Sequence, residues 1–230
     1  MTAAEEILEE SAGDLAEALD PLGVFLARAG RCLSALAPAP GAPLANPQGD
    51  HSLDPNPDAV RPALPYRSAA VLVPVIARER GLHIVLTQRA AHLRDHSGQV
   101  AFPGGKIEPG DPDPAAAALR EAGEEIGLSP DAVRVLGYLD PYLSATGFLV
   151  VPVVALVAEG TRFVPDPAEV AEVFEVPLDF LLDASRYGLN SRLWQGRTRY
   201  YYALPFEGRV IWGVTAGILN NLRERLAAAR

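Results

Sequence analysis

Three glutamates stand close together in the segment "REAGEEIGL", at positions 121, 124 and 125. If the segment is helical, residues three and four apart share a face, so Glu121 lies beside Glu124 and Glu125. Neighbouring carboxylates repel each other unless a cation binds them, and hard oxygen ligands suit Mg²⁺ or Mn²⁺. Arg120 lies four residues before Glu124 and can hold that side chain. A divalent-metal site is therefore one interpretation of the cluster, and a solvated acidic helix face, which is the common case for such spacing alone, is the other.

A glycine-rich turn precedes the predicted helix. It consists of Pro103, Gly104 and Gly105. Glycine has no Cβ, so the backbone of such a turn can come very close to a ligand or a metal. The turn and the acidic helix together therefore indicate one loop–helix site.

The segment "GGKIEPGDPDPAAAALREAGEEIGL" resembles the signature box of the Nudix hydrolases. That pattern is a glycine, a spaced acidic residue, and then Arg-Glu-apolar-any-Glu-Glu-any-Gly-apolar. Its second half is matched in full by Arg120, Glu121, Ala122, Glu124, Glu125, Gly127 and Leu128. In the first half, counted from Gly105, the acidic residue is Asp111 rather than glutamate. The interval to Arg120 is one residue longer than the common pattern.

The resemblance implies an α/β fold of the Nudix type, an α/β/α sandwich with a mixed β-sheet. It also implies hydrolysis of a diphosphate bond between a nucleoside and another group, with Arg120 and the three glutamates catalytic and Glu121, Glu124 and Glu125 holding the metals. One of these glutamates, or a carboxylate from another loop, accepts the proton of the attacking water. Glu169 and Glu172 in "DPAEVAEVFEVPL" are the loop candidates, and ordinary surface acids are the alternative.

A second motif, residues 86–105, resembles the extra signature of the coenzyme A diphosphatase branch of that family. The matching residues are Leu86, Thr87, Arg89, Arg94, Gly98, Phe102, Pro103, Gly104 and Gly105. Ala90 stands where the pattern often has serine, and the longer box interval with aspartate is also typical of this branch. With "EVAEVFEVPL" and "IWGVTAGIL", the resemblance covers roughly residues 67–226.

This branch implies hydrolysis of coenzyme A, or its derivatives, to 3′,5′-ADP and 4′-phosphopantetheine. Arg89 and Arg94 would pair with substrate phosphates through bidentate bonds, although a surface salt bridge is the alternative for each arginine alone. Gly98 would let the backbone approach the ligand, and Gly104 and Gly105 would line the site. Phe102 would pack in the core or against the substrate.

The chain divides into two regions. Residues 1–66 are predicted to form an N-terminal helical segment, with helix over 3–36, followed by a proline-rich arm. Asp20 and Pro21 mark a helix start, as N-cap and first helical residue. Residues 67–230 are predicted to form the Nudix hydrolase domain.

Apolar β-branched runs and amphipathic segments alternate within residues 67–230, which predicts a mixed α/β domain. "SAAVLVPVIA" and "LHIVLTQ" form a predicted hairpin around "RERG", and further strands are predicted at "VRVLGYL", "FLVVPVVALVA" and "TRYYYALPF". Helices are predicted at "PAAAALREAGEEIGL", "PLDFLLDAS" and the C-terminal "GVTAGILNNLRERLAAA". Tyr201 faces opposite to Tyr200 and Tyr202 on the predicted strand. Packing beneath the sheet is expected for these tyrosines, with the lining of a pocket as the alternative. Core or interface positions are expected for Trp194 and Trp212.

Composition excludes several classes of function. The net charge of −9 over 230 residues is unsuited to duplex-DNA binding, so no nucleic-acid partner is expected. Cys32 is the only cysteine, which leaves no internal disulfide and no cysteine-rich zinc site. No secretory signal or bilayer-spanning run is recognised, and a cytoplasmic protein without a membrane partner is expected.

Three alternatives stay open. The first is a Nudix hydrolase acting on ADP-ribose or a dinucleotide such as NADH. The second is a non-catalytic binding module with the same fold, although such modules usually lose metal-binding glutamates. The third concerns residues 1–66, which could give a homodimer contact or a regulatory lid over the site.

Overall fold

The computed structural model describes residues 20–38, 48–56, 61–194 and 196–229. Within them the α-helices, numbered in chain order, are α1 (Pro21–Cys32), α2 (Pro114–Ile126), α3 (Leu178–Leu182) and α4 (Val214–Ala228). None of the helices in this part of the chain combines the length and apolar character that crossing a bilayer requires.

The strands belong to two sheets. The large sheet contains β1 (Arg67–Arg78), β2 (Gly81–Arg89), β3 (Val100–Ala101), β4 (Gly104–Lys106), β5 (Val133–Tyr138), β6 (Tyr142–Leu143), β7 (Phe148–Val157) and β8 (Val170–Pro177). The small antiparallel sheet contains β9 (Gly188–Trp194), β10 (Arg197–Phe206) and β11 (Arg209–Trp212). In these described residues the large sheet has the strand order β3-β2-β1-β7-β5, while β4 pairs with β1, β6 with β7 and β8 with β2.

The large sheet is mixed, as predicted. Its centre is the parallel pair of β1 and β7, which runs in register from Arg67 opposite Phe148 to Ile76 opposite Val157. The other pairings are antiparallel, including the predicted β1–β2 hairpin. Both central strands are apolar along their length because helices cover both faces of the sheet.

Alternation along the strands divides the core into two layers. On β1, Ala70, Leu72 and Ile76 face α2, together with alternate residues of β7. Val73 and Val75 face the opposite side, where α1, α3 and α4 pack. Because successive side chains of a strand point to opposite faces, one sheet supports both layers. The α/β/α sandwich predicted from the sequence is confirmed.

The predicted helix start at Asp20 is confirmed. The Asp20 carboxylate accepts a hydrogen bond from the Gly23 amide at 2.6 Å, and Pro21 is the first helical residue. The helix ends at Cys32, earlier than the predicted residue 36, and predicted helical residues 3–19 lie outside the described part of the chain.

The prediction that Glu172 lies in a loop is wrong. Glu172 is part of β8, which pairs with β2 and places Glu172 opposite Gln88. The two acids of the segment "VAEVFEVP" are three residues apart, which is not the period of two of a half-buried strand, and pairing with a distant strand decides its structure. Glu169, just before β8, does lie in a connecting segment.

The described part of the proline-rich arm contacts the domain. Gln48 forms an isolated bridge with Tyr142, and the Leu143 amide donates to the Gln48 carbonyl at 2.7 Å. His51 is 7% exposed, and the Tyr142 hydroxyl donates a hydrogen bond to the Asp50 carboxylate. The arm therefore inserts an acidic side chain beside β6.

Asp50 gives the arm a pH-dependent stability. Burial raises the pKa of Asp50 from 3.8 to about 6, although Tyr142, Arg192 and Arg199 oppose the shift. The pKa of Asp50 is higher in the folded protein than in the unfolded chain. The protonated carboxyl therefore contributes fully to the free energy of unfolding below about pH 4. That contribution, at most about 3 kcal/mol, is lost as the pH rises through about 6. We expect Asp50→Asn to raise the melting temperature relative to wild type more at pH 7.5 than at pH 4.5.

Circular dichroism melts at the two pH values measure this difference. The exposed Asp131→Asn variant is the control and should shift the melting temperature equally at both. Equal shifts for Asp50→Asn as well would show that the Asp50 carboxyl is not perturbed.

Candidate active site

Helix α2 carries the glutamate cluster, and its ends are fixed by local chemistry. The Asp113 carboxylate caps its start by accepting from the Ala116 amide at 2.8 Å, and Pro114 is the first helical residue. Gly127 ends it in the left-handed conformation, with φ of 64°, which glycine adopts without strain. Between these ends Ala117, Ala118 and Ala122 are fully buried against the sheet. The small alanines bring the helix backbone, and with it the glutamates, close to the strands.

Glu125 is the buried member of the cluster, at 3% exposure. Its carboxylate accepts a hydrogen bond from the Gly104 amide at 3.0 Å and pairs with the Arg89 guanidinium at 3.4 Å. Burial raises the pKa of Glu125 to about 7; Gly104 and Arg89 oppose that shift, while Glu169 and Glu121 add to it. A proton or a cation is therefore favoured at this carboxylate.

Arg120 organises the remaining acids. Its guanidinium donates to Glu121 at 3.1 Å and to Glu124 at 3.2 Å. It also makes two bonds of 3.1 Å to Asp111 and one of 3.1 Å to the Lys106 carbonyl. The planar guanidinium of Arg120 therefore connects helix α2 to the loop that precedes it.

Asp111 has a structural role that sequence reasoning did not assign. It binds Arg120 and also accepts from the Glu108 amide at 2.8 Å, so it closes the loop of residues 108–111. Hydrogen bonds from Arg120 and from Glu108 hold the pKa of Asp111 below its usual range. Although the box has aspartate instead of glutamate and a longer interval, Asp111 still reaches Arg120. The departure from the common pattern therefore supplies a carboxylate that holds the Arg120 guanidinium.

Gly105 lies directly against the Glu121 carboxylate. A Cβ at Gly105 would come within 2.5 Å of the Glu121 carboxylate carbon and of one of its oxygens. The turn is also close to the sheet, since β4 pairs Gly105 with Ala70 of β1. The backbone of the turn thus comes close to the site, as predicted, and the group that it approaches is the Glu121 carboxylate.

The carboxylate cluster suits a hard divalent cation by the chemistry of its oxygen donors, although not by their present arrangement. Burial raises the pKa of Glu121, and neighbouring Glu124 and Glu169 add to the rise while Arg120 opposes it. Oxygen donors whose mutual repulsion raises their pKa bind a cation of the Mg²⁺ or Mn²⁺ class favourably. Within the described ranges, no three carboxylate, imidazole or thiol groups converge closely enough to hold a metal, and Arg120 pairs with both Glu121 and Glu124.

The loop that precedes β8 brings Glu169 near this cluster. The Asp166 amide donates to the Glu125 carbonyl at 2.9 Å, which joins this loop to the end of α2. The Ala90 amide donates to the Glu169 carbonyl at 2.8 Å. Glu169 is near enough to raise the pKa of both Glu121 and Glu125. Glu172, in contrast, pairs with Arg209 at 2.6 Å on the small-sheet side.

Two adjoining cavities extend from Arg89. The inner cavity, about 270 Å³, is lined by Arg89, Phe102 and apolar side chains of β3 and α4. The outer cavity, about 320 Å³, is lined in part by Arg94. Phe102 is 4% exposed, so it both belongs to the core and borders the cleft. Gly98 has a φ of 68° and lies outside both linings.

The outer cavity contains residues that sequence reasoning placed elsewhere. Trp194, Tyr201 and Trp212 were expected in packed positions, but all three line it. Tyr202, on the opposite face of β10, does pack, with its ring 6.1 Å from that of Tyr187. The alternation of side chains along β10 could have predicted that Tyr201 and Tyr202 face different environments. The cavity itself depends on the pairing of β9, β10 and β11, which local sequence does not show.

The chain belongs to the Nudix family. The NUDIX domain matches residues 65–195, more than half of its length. The "Uncharacterized Nudix hydrolase NudL" of Pectobacterium atrosepticum is 46% identical over 167 residues, covering 72% of this chain and 86% of that protein. The protein of the same name from Escherichia coli (strain K12 / DH10B) is 42% identical over 166 residues, with the same coverage.

The protein is accordingly a Nudix hydrolase, an enzyme acting on phosphorus-containing acid anhydrides. Nudix hydrolases generally use divalent metal ions. The family predicted from the box is confirmed, while the coenzyme A branch and the individual site residues stay predictions.

Solved structures of Nudix proteins are also similar to this chain. A Nudix hydrolase from M. Smegmatis, RenU, aligns with a TM-score of 0.46 at 24% identity, covering 71% of this chain and 87% of that one. The NUDIX domain of Shewanella oneidensis NrtR, solved with ADP ribose, aligns with a TM-score of 0.46 at 19% identity, covering 77% and 97%. The family assignment depends on the sequence relatives.

The contact between Gly105 and Glu121 can be tested by substitution. We expect Gly105→Ala to displace the Glu121 carboxylate and to lower kcat about 100-fold, because small misplacements of site groups cost that much. Gly110→Ala is the matched control, since a Cβ there meets no atom within 4 Å. Initial rates and circular dichroism of both variants measure the effect. Equal activity of the two variants would contradict a role for this contact.

Proposed function

We propose that the protein hydrolyses the diphosphate bond of coenzyme A, or of its derivatives, in a metal-dependent reaction that yields 3′,5′-ADP and 4′-phosphopantetheine. The observation that carries the proposal is the pairing of buried Glu125 with Arg89 and with the Gly104 amide. Through it the helix of the Nudix box directly contacts two residues of the motif at residues 86–105. The motif that suggests coenzyme A therefore adjoins the catalytic cluster.

The reaction adds water across a phosphoanhydride bond. Water oxygen bonds to one phosphorus, the P–O bond to the bridging oxygen breaks, and that oxygen leaves with the other phosphate. Bound divalent cations would neutralise the diphosphate and polarise phosphorus, and Glu121, Glu124 and Glu125 would hold them. Arg120 pairs with both Glu121 and Glu124, and Glu121 lies against Gly105 of the turn.

Arg89 would bind the anionic substrate. It lines the inner cavity while pairing with Glu125. Its Nε is buried and has no hydrogen-bond partner within the described residues, so it has donor capacity left for a phosphate oxygen. Arg94 lies on the outer cavity, further along the same cleft.

Glu169 is the stronger of the two loop candidates for accepting the proton of the attacking water. It interacts electrostatically with Glu121 and Glu125, whereas Glu172 is engaged by Arg209. A general base must lie beside the reacting water, which would lie next to the carboxylate cluster if that cluster holds the metals. Of the two candidates, Glu169 is the one near the cluster.

We therefore expect Glu169→Gln to lower kcat by about 10²- to 10⁴-fold with little change in KM, as loss of a general base does. Glu172→Gln removes the same charge three residues further along the chain, in β8. Its kcat should stay within about three-fold of the wild-type value. Steady-state kinetics on coenzyme A measure both. If Glu172→Gln has the larger effect, the assignment is reversed.

The direct test of function is product analysis after incubation with coenzyme A and Mg²⁺ or Mn²⁺. We expect 3′,5′-ADP and 4′-phosphopantetheine from wild type, and loss of both when the metal is chelated. Glu125→Gln keeps an acceptor for the Gly104 amide and should lower the rate at least about 100-fold. Glu108→Gln is the matched control, because Glu108 is exposed in the neighbouring loop.

ADP-ribose and NADH are assayed in parallel. Cleavage of either of them without cleavage of coenzyme A would contradict the substrate while keeping the metal site. No cleavage of any of the three would favour a non-catalytic binding module.

A further inference from the structure

The outer cavity contains an unusual set of side chains. We call it the arginine–tryptophan chamber, which is defined by Arg94, Arg192, Trp194, Arg199, Tyr201 and Trp212. Its volume of about 320 Å³ is in the range of small-molecule pockets, about 300–1,000 Å³. Neither the Nudix box nor the motif at residues 86–105 includes the small sheet, which contributes every residue of this set except Arg94.

Cations and aromatic rings are stacked on each other in the chamber. The Arg192 guanidinium lies 4.8 Å from the ring centroid of Trp212, and that of Arg199 lies 5.4 Å from Trp194. The Tyr201 ring meets Trp212 edge-on at 5.4 Å. Aromatic faces of this kind stack nucleobases, and adjacent guanidinium groups bind phosphate oxygens in bidentate pairs.

The charge of the chamber is opposite to that of the chain. Three arginines line it against two carboxylates, Asp50 and Asp95, although the chain as a whole carries −9. Asp50 is engaged by the Tyr142 hydroxyl. Within the described ranges, neither Arg94 nor Arg192 forms a salt bridge, and both side chains are exposed. Their donors are available to an anionic ligand.

The chamber is continuous with the catalytic cleft. Its lining shares Gln99, Thr146, Arg192 and Trp212 with the inner cavity, and that cavity reaches Arg89 beside Glu125. One ligand can therefore have a diphosphate near the carboxylates and a second anionic, aromatic group in the chamber. The inner cavity is apolar in comparison, with Val71, Phe102 and Ile218 along its wall.

We propose that the arginine–tryptophan chamber binds the phosphorylated nucleoside half of the substrate, with the adenine against the tryptophan faces and the ribose 3′-phosphate on Arg192 and its neighbouring arginines. The inference rests on the proposed function, because coenzyme A carries that phosphate. The pantetheine half is uncharged beyond its phosphate and offers nothing for three arginines to bind. The 3′-phosphate thereby becomes the feature that the enzyme selects.

Binding can be measured without catalysis or metal. The chain has two tryptophans and both line the chamber, so intrinsic fluorescence reports its occupancy directly. The probes are 3′,5′-ADP and 5′-AMP, which differ only in the 3′-phosphate, and calorimetry is run on the same samples. We expect 3′,5′-ADP to quench tryptophan fluorescence and to bind about ten- to a hundred-fold more tightly than 5′-AMP, as charge-assisted bonds imply.

Arg192→Gln should abolish most of that preference, while Arg134→Gln, an exposed arginine of β5 outside both linings, should keep it. Circular dichroism verifies that both variants are folded. An unchanged preference in Arg192→Gln, or no binding of 3′,5′-ADP by either method, would overturn the inference.

Turnover separates this inference from the proposed function. The wild-type enzyme should favour coenzyme A over dephospho-coenzyme A in kcat/KM, and Arg192→Gln should reduce that ratio about ten-fold through KM. Equal ratios in wild type and variant would overturn the chamber's role while the diphosphatase function stands. Tight 3′,5′-ADP binding without hydrolysis of coenzyme A would overturn the proposed function while the chamber stands.

Discussion

A carboxylate removed from water is the constraint on which the site depends. Glu125 can be buried only if donors meet it, and they come from the Gly104 amide and the Arg89 guanidinium. Those two groups belong to β4 and to the end of β2, so the turn and the hairpin must both reach α2. The alanine face of the helix makes that approach short enough. Burial of the Glu125 carboxylate therefore depends on the packing of the sheet that positions its two donors.

The sequence was most informative where structure is local. Helix α2, the start of α1 at Asp20 and the β1–β2 hairpin follow from neighbouring residues, because capping, turn chemistry and periodicity act over a few positions. Strand β8 was read as a loop because its pairing partner, β2, lies far away in the chain. The chamber was missed for the same reason: only the pairing of β9, β10 and β11 brings Trp194, Tyr201 and Trp212 together.

Different parts of the molecule shape the two ends of the cleft. The large sheet and α2 fix the carboxylates, and their positions are held by Arg120 and by backbone amides. The small sheet and the arm, through Asp50 and His51, shape the outer end. Strands with exposed side chains tolerate substitution better than a packed core does. With the proposed roles, hydrolysis would depend on the packed core, and the choice of ligand would depend on a surface that can vary.

The parallel pair at the centre of the sheet also has a consequence for the order of folding. Strands β1 and β7 are distant in the chain, and the whole of α2 lies in the segment between them. Pairing them closes a long loop, whose entropic cost must be met before the contact stabilises the chain. During synthesis, β1, β2 and α2 emerge well before β7 does. Helix α2 can therefore acquire its final support only after the polypeptide has been made through residue 157, so the candidate active site is assembled late.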